Sequence, residues 1–250
     1  MPDKRILQIK NLGRKKRLSR DHNWVWILKD LDLDILEGER LGLIGISGSG
    51  KTTLLRIMAD LESFDEGEIL FKGKPIQEYS PVEYRKKIGF VHQKPTLFEG
   101  TVEYNLRYSS NLDGREMSPK EIDRLLESVG LHSQIAEAGI NTLSMGQAQR
   151  VSIARALSAK PVMLVMDEPT SALDPSSTRK ISNLIRRLSE DLSITIVIVL
   201  HDMSLARESS DRVALLENGK IADIDTTEEF FRRHNEIKSN IWSEKGKKED

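Results

Sequence analysis

The sequence contains no cysteine among its 250 residues. This absence excludes a disulfide framework, a thiolate nucleophile and a cysteine-ligated metal site. Because disulfides persist mainly in oxidising compartments, a chain without cysteine fits a reducing compartment. A chain of this length can bury a large core without metals or cross-links, so the absence costs the fold nothing.

Long apolar runs are also missing. The longest, ITIVIVL at residues 194–200, is far shorter than the ~20 residues that a membrane helix needs. The first ten residues, MPDKRILQIK, lack the apolar region of a secretory signal. We therefore expect a cytoplasmic chain that reaches a membrane only through a partner.

The charges are nearly balanced, with a formal net charge of −1. This balance argues against a dedicated nucleic-acid-binding protein, which would carry an excess of basic residues. One local run, RKKRLSR at 14–20, is basic. It is predicted to be a solvated hairpin loop, and a site for acidic lipid or for a partner is the alternative.

Short apolar segments alternate with helical patterns along most of the chain. Near the N-terminus, ILQI, WVWIL and LDLDI have the period of two that is typical of strands. Alternating strands and helices predict an α/β fold, with a mostly parallel central sheet covered on both faces and an antiparallel β part at the N-terminus. Further strands are predicted at RLGLIGI, KIGFVHQ, VMLVMD and ITIVIVL.

Helical spacing of apolar residues predicts several helices. The segment TTLLRIMADL, which starts at Thr52, would bury Leu54, Leu55, Met58 and Leu61. Between residues 94 and 159 the β/α alternation stops, and this block is predicted to be a mostly helical insertion. Its helices are expected at SPKEIDRLLESVGL and at SMGQAQRVSIARALSA, where Ser144 would be the N-cap.

A glycine-rich loop follows the strand RLGLI and precedes the helix that starts near Thr52. Its sequence GISGSGKT fits the pattern G-x-x-x-x-G-K-S/T, in which backbone N–H groups and a helix N-terminus cradle phosphates. Lys51 would add charge for the β- and γ-phosphates, and Thr52 a hydroxyl for Mg²⁺. The sequence therefore predicts an ATP-type triphosphate site. The predicted contacts are Gly45, Ile46, Ser47, Gly48, Ser49, Gly50, Lys51, Thr52 and Thr53.

Two acids, Asp167 and Glu168, end the predicted strand VMLVM. Acids at the end of a buried strand are costly unless they meet a cation or water. We assign Asp167 to Mg²⁺ and Glu168 to polarising the attacking water. The alternative for such a segment alone is a pair of exposed acids just past the strand.

The segment LSMGQAQRVSIARAL at 143–157, upstream of MDEPTSALD, resembles the signature of ABC-type ATPases. The order of motifs also matches that family, and the resemblance covers about residues 5–235. It implies an ABC-type P-loop fold in a single domain over 1–240. The core and β subdomain would take about 1–92 and 160–235, the helical subdomain about 94–159, and a polar tail 241–250.

The resemblance further implies a head-to-tail dimer, in which the signature of one protomer closes on the ATP held by the other. Three signature positions match those that would face the γ-phosphate, and Asp174 matches the loop at the dimer boundary. His201 matches the switch histidine that hydrogen-bonds the γ-phosphate, and Gln93 matches the lever that reaches Mg²⁺ and the membrane partner. The signature positions are Ser144, Gly146 and Gln147.

The chain departs from the family pattern at two places. The signature usually reads LSGGQ, and here Met145 replaces the first of its two glycines; we expect a working site because Gly146 is retained. The family also places an aromatic residue that stacks on adenine in the first hairpin. Counting back leads to His22, Trp24 or Trp26. We favour Trp24 for its large indole face, and packing within the hairpin is the alternative.

The function that the resemblance implies is that of an ATP-hydrolysing subunit of an ABC transporter, with integral membrane permease subunits as partners. The stretch HQKPTLFEGTVEYNLRY at 92–108 is similar to single-domain subunits of phosphate importers and metal exporters. Leu97 and Phe98 would dock on the permease or belong to the helical core. The alternatives are a soluble ABC ATPase of an assembly or repair complex, and a scaffold without catalysis, which Lys51 and the acidic pair disfavour.

Overall fold

A computed structural model describes residues 4–17, 23–112 and 114–234. His22 and the predicted tail at 241–250 lie outside the described residues. The strands are β1 (Arg5–Arg17), β2 (Trp24–Leu36), β3 (Arg40–Ile44), β4 (Glu66–Phe71), β5 (Lys74–Pro75), β6 (Ile88–Val91), β7 (Met163–Met166), β8 (Thr195–Val199), β9 (Arg212–Glu217) and β10 (Lys220–Thr226). The α-helices are α1 (Lys51–Met58), α2 (Pro81–Lys87), α3 (Val102–Leu112), α4 (Pro119–Ser128), α5 (Met145–Ser158), α6 (Pro175–Leu192), α7 (Met203–Ser209) and α8 (Thr227–His234).

The strands form two sheets. The larger sheet has the order β10-β9-β3-β8-β7-β6, and its neighbours are parallel except for the β10–β9 hairpin. The smaller sheet has the order β2-β1-β4-β5 and is antiparallel. This confirms the predicted α/β class, with a mostly parallel central sheet and an N-terminal antiparallel part.

The central strands are buried on both faces, which explains their unbroken apolar sequences. On β7, Leu164 and Met166 pack into one core together with residues of the helical block and α6. Met163 and Val165 alternate to the other face, where they share a second core with α1 and the small sheet. The central sheet therefore separates two hydrophobic cores.

The first hairpin differs from its prediction. WVWIL and LDLDI belong to one strand, β2. The first four residues of the basic run continue β1 as far as Arg17, and its residues 18–20 lie outside the described part of the chain. Asn11 (φ 48°) and Asp30 (φ 47°) adopt left-handed backbone conformations. The β1–β2 register shifts between residues 9 and 12 and again before residue 15. Such bulges keep the hairpin paired while they change which side chains face which side.

Leu61 was predicted to lie on the buried side of α1, and this prediction is wrong. The helix ends at Met58, and Leu61 is 44% exposed. Asp60 takes a left-handed conformation (φ 53°), and the amide of Leu61 donates to the carbonyl of Arg56. This is a Schellman-type ending, which turns the chain away before Leu61 can reach the core.

The helical block between β6 and β7 contains α3, α4 and α5, together with 3₁₀ turns. The helices α4 and α5 lie at the two segments where helices were predicted, and α3 is an additional helix. Ser118 caps α4 and Ser144 caps α5, each in a reciprocal capping box with the residue three positions on. Their buried apolar residues join the core on one face of the central sheet. None of the helices in the described ranges is both long and apolar enough to cross a membrane.

Candidate active site

The glycine loop connects the carboxyl end of β3 to the start of α1, as its sequence predicts. Gly45 has φ 153°, and a Cβ there would lie 2.3 Å from the carbonyl oxygen of Leu216. Gly50 has φ 106°, and a Cβ there would lie 2.7 Å from a side-chain carbon of Leu28. Only glycine fits either position, so the bare loop is a geometric requirement of this junction.

Lys51 folds back over the loop. Its Nζ donates to the carbonyl oxygens of Gly45 and Ile46, each at 2.9 Å. Burial lowers the pKa of the Lys51 ammonium, while the carboxylates of Glu168 and Asp167 act in the opposite direction. The side chain thus holds a cation beside the loop amides, where an anion gains from both.

Thr52 and Asp167 are in contact where the glycine loop joins α1. The Thr52 hydroxyl donates to Oδ1 of Asp167 at 3.1 Å. Asp167 is only 8% exposed, and burial raises the pKa of its carboxyl group. No cluster of three or more His, Cys, Asp or Glu side chains suited to a metal occurs in the described part of the chain. One hydroxyl and one carboxylate suit Mg²⁺, which takes few protein ligands and completes its shell with phosphates and water.

Glu168 is the centre of a polar cluster. Its Oε2 accepts a hydrogen bond from Gln93 Nε2 at 2.9 Å, and its Oε1 contacts Nε2 of His201. Gln93 also donates to the hydroxyl of Ser171 at 3.2 Å. These side chains come from the ends of β6, β7 and β8, which are neighbours in the sheet. The structure therefore brings Gln93, Glu168 and His201 together beside Thr52 and Asp167.

A cavity of about 280 Å³ opens next to this cluster. His92 lines it and was not singled out from the sequence. Burial, with a further contribution from Arg155 and Arg56, lowers the pKa of His92. The sequence signal that could have identified His92 is its position directly before Gln93, at the end of a predicted strand. The lining residues are Thr52, Arg56, Phe90, His92, Gln93, Lys94, Thr96 and Asp167.

The signature residues lie at the start of α5. Ser144 Oγ accepts from the amide of Gln147, and the side chain of Gln147 reaches back to the Ser144 amide. A Cβ on Gly146 would lie 2.9 Å from the hydroxyl of Ser177. Asp174 caps α6 by accepting from the amides of Ser176 and Ser177, and these hydrogen bonds lower the pKa of Asp174. The two helix starts are therefore neighbours.

The signature does not join the phosphate-loop cluster. Within the described residues, no hydrogen bond links the Ser144–Gln147 turn to the glycine loop, Asp167 or Glu168. Met145, which departs from the family pattern, is 51% exposed and faces solvent. The signature is therefore free to meet another molecule.

The hairpin places Lys16, rather than a tryptophan, against α1. Lys16 Nζ lies 3.2 Å from the hydroxyl of Thr53 and 3.2 Å from Glu62. Trp24 pairs directly with Arg17, one position along from Lys16, so it faces the other side of the sheet. It is 61% exposed beneath the Arg17 guanidinium. The stacking role of Trp24 stays a prediction, and the register weighs against it. Because side chains alternate between the two faces of a strand, the order of residues 14–17 could have identified Lys16 as the residue that faces α1.

A glycine loop joins a strand to a helix, a hydroxyl–carboxylate pair lies beside it, and a glutamate is held there by two polar partners. This combination defines a P-loop nucleotide hydrolase. The family model for ABC transporters matches residues 28–171, which is more than half of the chain. The chain belongs to the ABC transporter family, as an ATP-binding and ATP-hydrolysing cassette.

Individual relatives agree with this assignment. The chain is 40% identical over 198 residues to ABC transporter I family member 17 of Arabidopsis thaliana, covering 79% of this chain and 75% of that protein. It is 38% identical over 225 residues to the methionine import ATP-binding protein MetN of Clostridioides difficile, covering 88% of this chain and 70% of MetN.

Solved structures show the same fold. The cassette MJ0796, in a dimeric post-hydrolysis state with ADP and Pi, aligns with a TM-score of 0.77 at 32% identity and covers 88% of this chain and 98% of its own. The protein cbiO1 from Clostridium perfringens, part of the transporter complex cbiONQ, aligns with a TM-score of 0.81 at 29% identity and covers 94% of each chain.

Proposed function

We propose that two copies of this chain enclose two ATP molecules and drive transport through integral membrane permease subunits. The observation that carries the proposal is the cluster of Gln93, Glu168 and His201 beside Thr52 and Asp167. The dimeric form of MJ0796 and the complex that contains cbiO1 support the two kinds of partner. The chain would then lie at the cytoplasmic face of the membrane, attached through its permease.

The positions of the site residues support a role for each of them. The loop residues from Gly45 to Thr53 donate backbone N–H groups to the phosphates, and Lys51 moves from its loop carbonyls to the β- and γ-oxygens. Thr52, Asp167 and Gln93 would hold Mg²⁺, which would supply charge neutralisation to the phosphates when bound.

Hydrolysis needs a water molecule aligned with the γ-phosphate. The carboxylate of Glu168 is held by Gln93 and His201, so it is fixed in place to accept a hydrogen bond from that water. When ATP binds, Nε2 of His201 would leave Glu168 and donate to the γ-phosphate. In a head-to-tail pair, the second protomer's α5 would present Ser144, Gly146 and Gln147 from the opposite side, with Asp174 at the boundary.

The surface next to Gln93 suits a permease. Phe98 and Tyr104 are 40% and 47% exposed, and both rings pack on Tyr108. Leu97 instead packs against the core of the helical block. We therefore propose that Phe98 docks on the permease and that Leu97 is structural. Gln93 lies only five residues before Phe98, so the proposed docking surface is next to the active site along the chain.

The test is co-purification of the Glu168→Gln variant. The amide has nearly the same shape and keeps one acceptor oxygen for Gln93, but it cannot act as a base, so ATP stays bound and the closed dimer persists. Tagged protein is expressed in its native host, supplied with ATP, and purified from detergent-solubilised membranes. Glu228→Gln, an exposed change on α8, is the matched control.

The transporter role is supported if a multi-span membrane protein is recovered with Glu168→Gln in about the same amount as the tagged chain. Less of that protein should be recovered with the control variant. Recovery of soluble proteins alone would overturn the membrane assignment and favour an assembly or repair complex. Absence of ATP-dependent dimerisation in the same sample would overturn the two-copy arrangement.

A further inference from the structure

A second and larger cavity, of about 610 Å³, lies at the amino ends of the central strands, opposite the end that carries the nucleotide site. Pro161 and Val162, just before β7, line it, whereas Asp167 follows β7 at the opposite end. Because strands rise about 3.3 Å per residue, the whole length of β7 separates this cavity from the phosphate loop. None of the nucleotide-site residues lines it.

The floor of the cavity is apolar. Ile6, Met117, Leu157 and Ile194 are each no more than 7% exposed and come from β1, the helical block and the segment before β8. Leu192 stands at the end of α6 and is 54% exposed. The volume lies in the ordinary range for small-molecule sites, about 300–1,000 Å³, and such sites are mainly apolar with a few polar groups.

The rim carries more positive than negative charge. Lys72 is paired with Glu37 at 3.5 Å, and Arg115 with Glu121 at 2.6 Å. These pairs satisfy both lining carboxylates. The two remaining lining cations are Arg124 of α4 and Lys160 after α5. Neither has an ion-pair partner among the residues that the structure describes.

An apolar floor beneath two uncompensated cations favours one kind of ligand. We propose that this cavity binds an amphipathic anion, with an aliphatic body on the Ile6–Leu157–Ile194 floor and a carboxylate or similar headgroup between Arg124 and Lys160. Burial of the aliphatic chain would supply affinity at roughly 0.8 kcal/mol per buried methylene. The two cations would select the sign of the headgroup.

Such a ligand would contact three parts of the fold, namely the helical block and each of the two sheets. Arg124 and Leu125 belong to α4, whereas Ile6 and Thr195 belong to the two sheets. A molecule bound to all three parts holds α4 in its present position and raises the thermal stability of the folded chain. Nothing in this proposal depends on ATP hydrolysis or on a permease.

The test is calorimetric titration of the intact protein with sodium decanoate, below its micelle concentration, at low salt. Nonyltrimethylammonium bromide has the same alkyl chain as decanoate and the opposite charge, and is the matched ligand control. The double variant Arg124→Glu, Lys160→Glu reverses the rim charge. Lys10→Glu, Lys180→Glu changes the net charge equally at exposed positions away from the cavity.

We expect saturable decanoate binding at one site per chain, and at least tenfold weaker binding of the trimethylammonium compound. The rim variant should lose at least tenfold in decanoate affinity and keep its affinity for ATP, and the Lys10 and Lys180 variant should keep both. Equal binding of the two ligands, or equal loss in both variants, would overturn the proposal. Leu125→Trp, which fills the cavity without altering charge, should also abolish binding, and retained binding there would place the ligand elsewhere.

Discussion

The backbone of Glu168 is strained at the centre of the active site. Its φ of 46° is left-handed, a conformation that costs a non-glycine residue roughly 1–3 kcal/mol. The amide and the hydroxyl of Ser171 both hydrogen-bond its carbonyl oxygen, at 3.2 and 3.1 Å. This turn directs the carboxylate toward Gln93 and His201, so the strained backbone conformation sets the position of the proposed base.

The first prediction tests whether Lys16 or Trp24 contributes to ATP binding. Lys16→Ala removes the ammonium beside Thr53 at the start of α1 and should weaken ATP binding about fivefold, the equivalent of one hydrogen bond of ~1 kcal/mol. Trp24→Ala should change the affinity less than about twofold, because its ring lies on the other face of the hairpin. Titration with a fluorescent ATP analogue measures both.

Lys10→Ala, an exposed lysine on the same strand, controls for loss of charge. A tenfold or larger loss in Trp24→Ala, with Lys16→Ala unchanged, would restore the stacking role to the tryptophan.

The second prediction concerns Met145. Its side chain is half exposed at the first position of α5, so Met145→Gly should leave ATP turnover within about threefold of the native rate. Stability should fall by no more than about 1 kcal/mol, from the lower helix propensity of glycine. Steady-state ATPase assays and urea unfolding measure the two effects. An increase in turnover by orders of magnitude would mean that Met145 cripples the signature.

At the level of elements, the ion pair of Arg40 and Asp211 joins the starts of two adjacent strands, β3 and β9. Asp211 accepts from the Arg40 amide at 2.8 Å and from its guanidinium at 2.6 Å. Burial opposes ionisation of Asp211, yet the hydrogen bonds from Arg40 lower its pKa overall. A carboxyl group with a lowered folded-state pKa stabilises the fold above its unfolded pKa, and this contribution disappears as the pH falls through the folded value.

The third prediction is therefore pH-dependent. Asp211→Asn should lower the free energy of unfolding at pH 7 by about 1 kcal/mol, a small value because the carboxylate is partly solvated. The difference from the native chain should shrink below pH 3.8, the ordinary pKa of aspartate, and vanish once Asp211 is protonated. Urea unfolding from pH 7 to pH 3 measures it, with Asp225→Asn, which removes a partner of Arg233, as a second ion-pair comparison. A difference that stays constant with pH would assign the loss to packing instead.

Elements with strong end signals could be predicted from the sequence, and those set by tertiary geometry could not. Ser144 identifies the start of α5, because a capping side chain acts on its own helix. The end of α1 depends on the left-handed backbone conformation of Asp60, which cannot be predicted from the residue type. The face of Trp24 depends on bulges in β1 and β2, and one shift in register moves every side chain to the other face.

At the scale of the whole molecule, the proposed dimer would divide each nucleotide site between two chains. One chain would contribute one half, the phosphate loop, Asp167 and Glu168 at the carboxyl ends of its central strands. The other would contribute the second half, Ser144 and Gly146 at the start of α5, and within one chain no described hydrogen bond connects the two halves. The order of motifs was enough to predict the family, because each motif is local, but a single chain does not show how the halves meet.

The last prediction tests whether the halves meet between two copies. Lys51→Ala removes the phosphate-binding cation, and Ser144→Arg blocks the signature, so each variant alone should lose nearly all ATPase activity. Head-to-tail pairing gives a mixed dimer one site with both defects and one site with neither. An equal mixture should therefore recover about a quarter of the native rate, because half of its dimers are mixed and each retains one of two sites. Steady-state ATPase assays of the separate and mixed variants measure this. A mixture as inactive as its components would mean that each chain completes its own site, or that the two sites work only together.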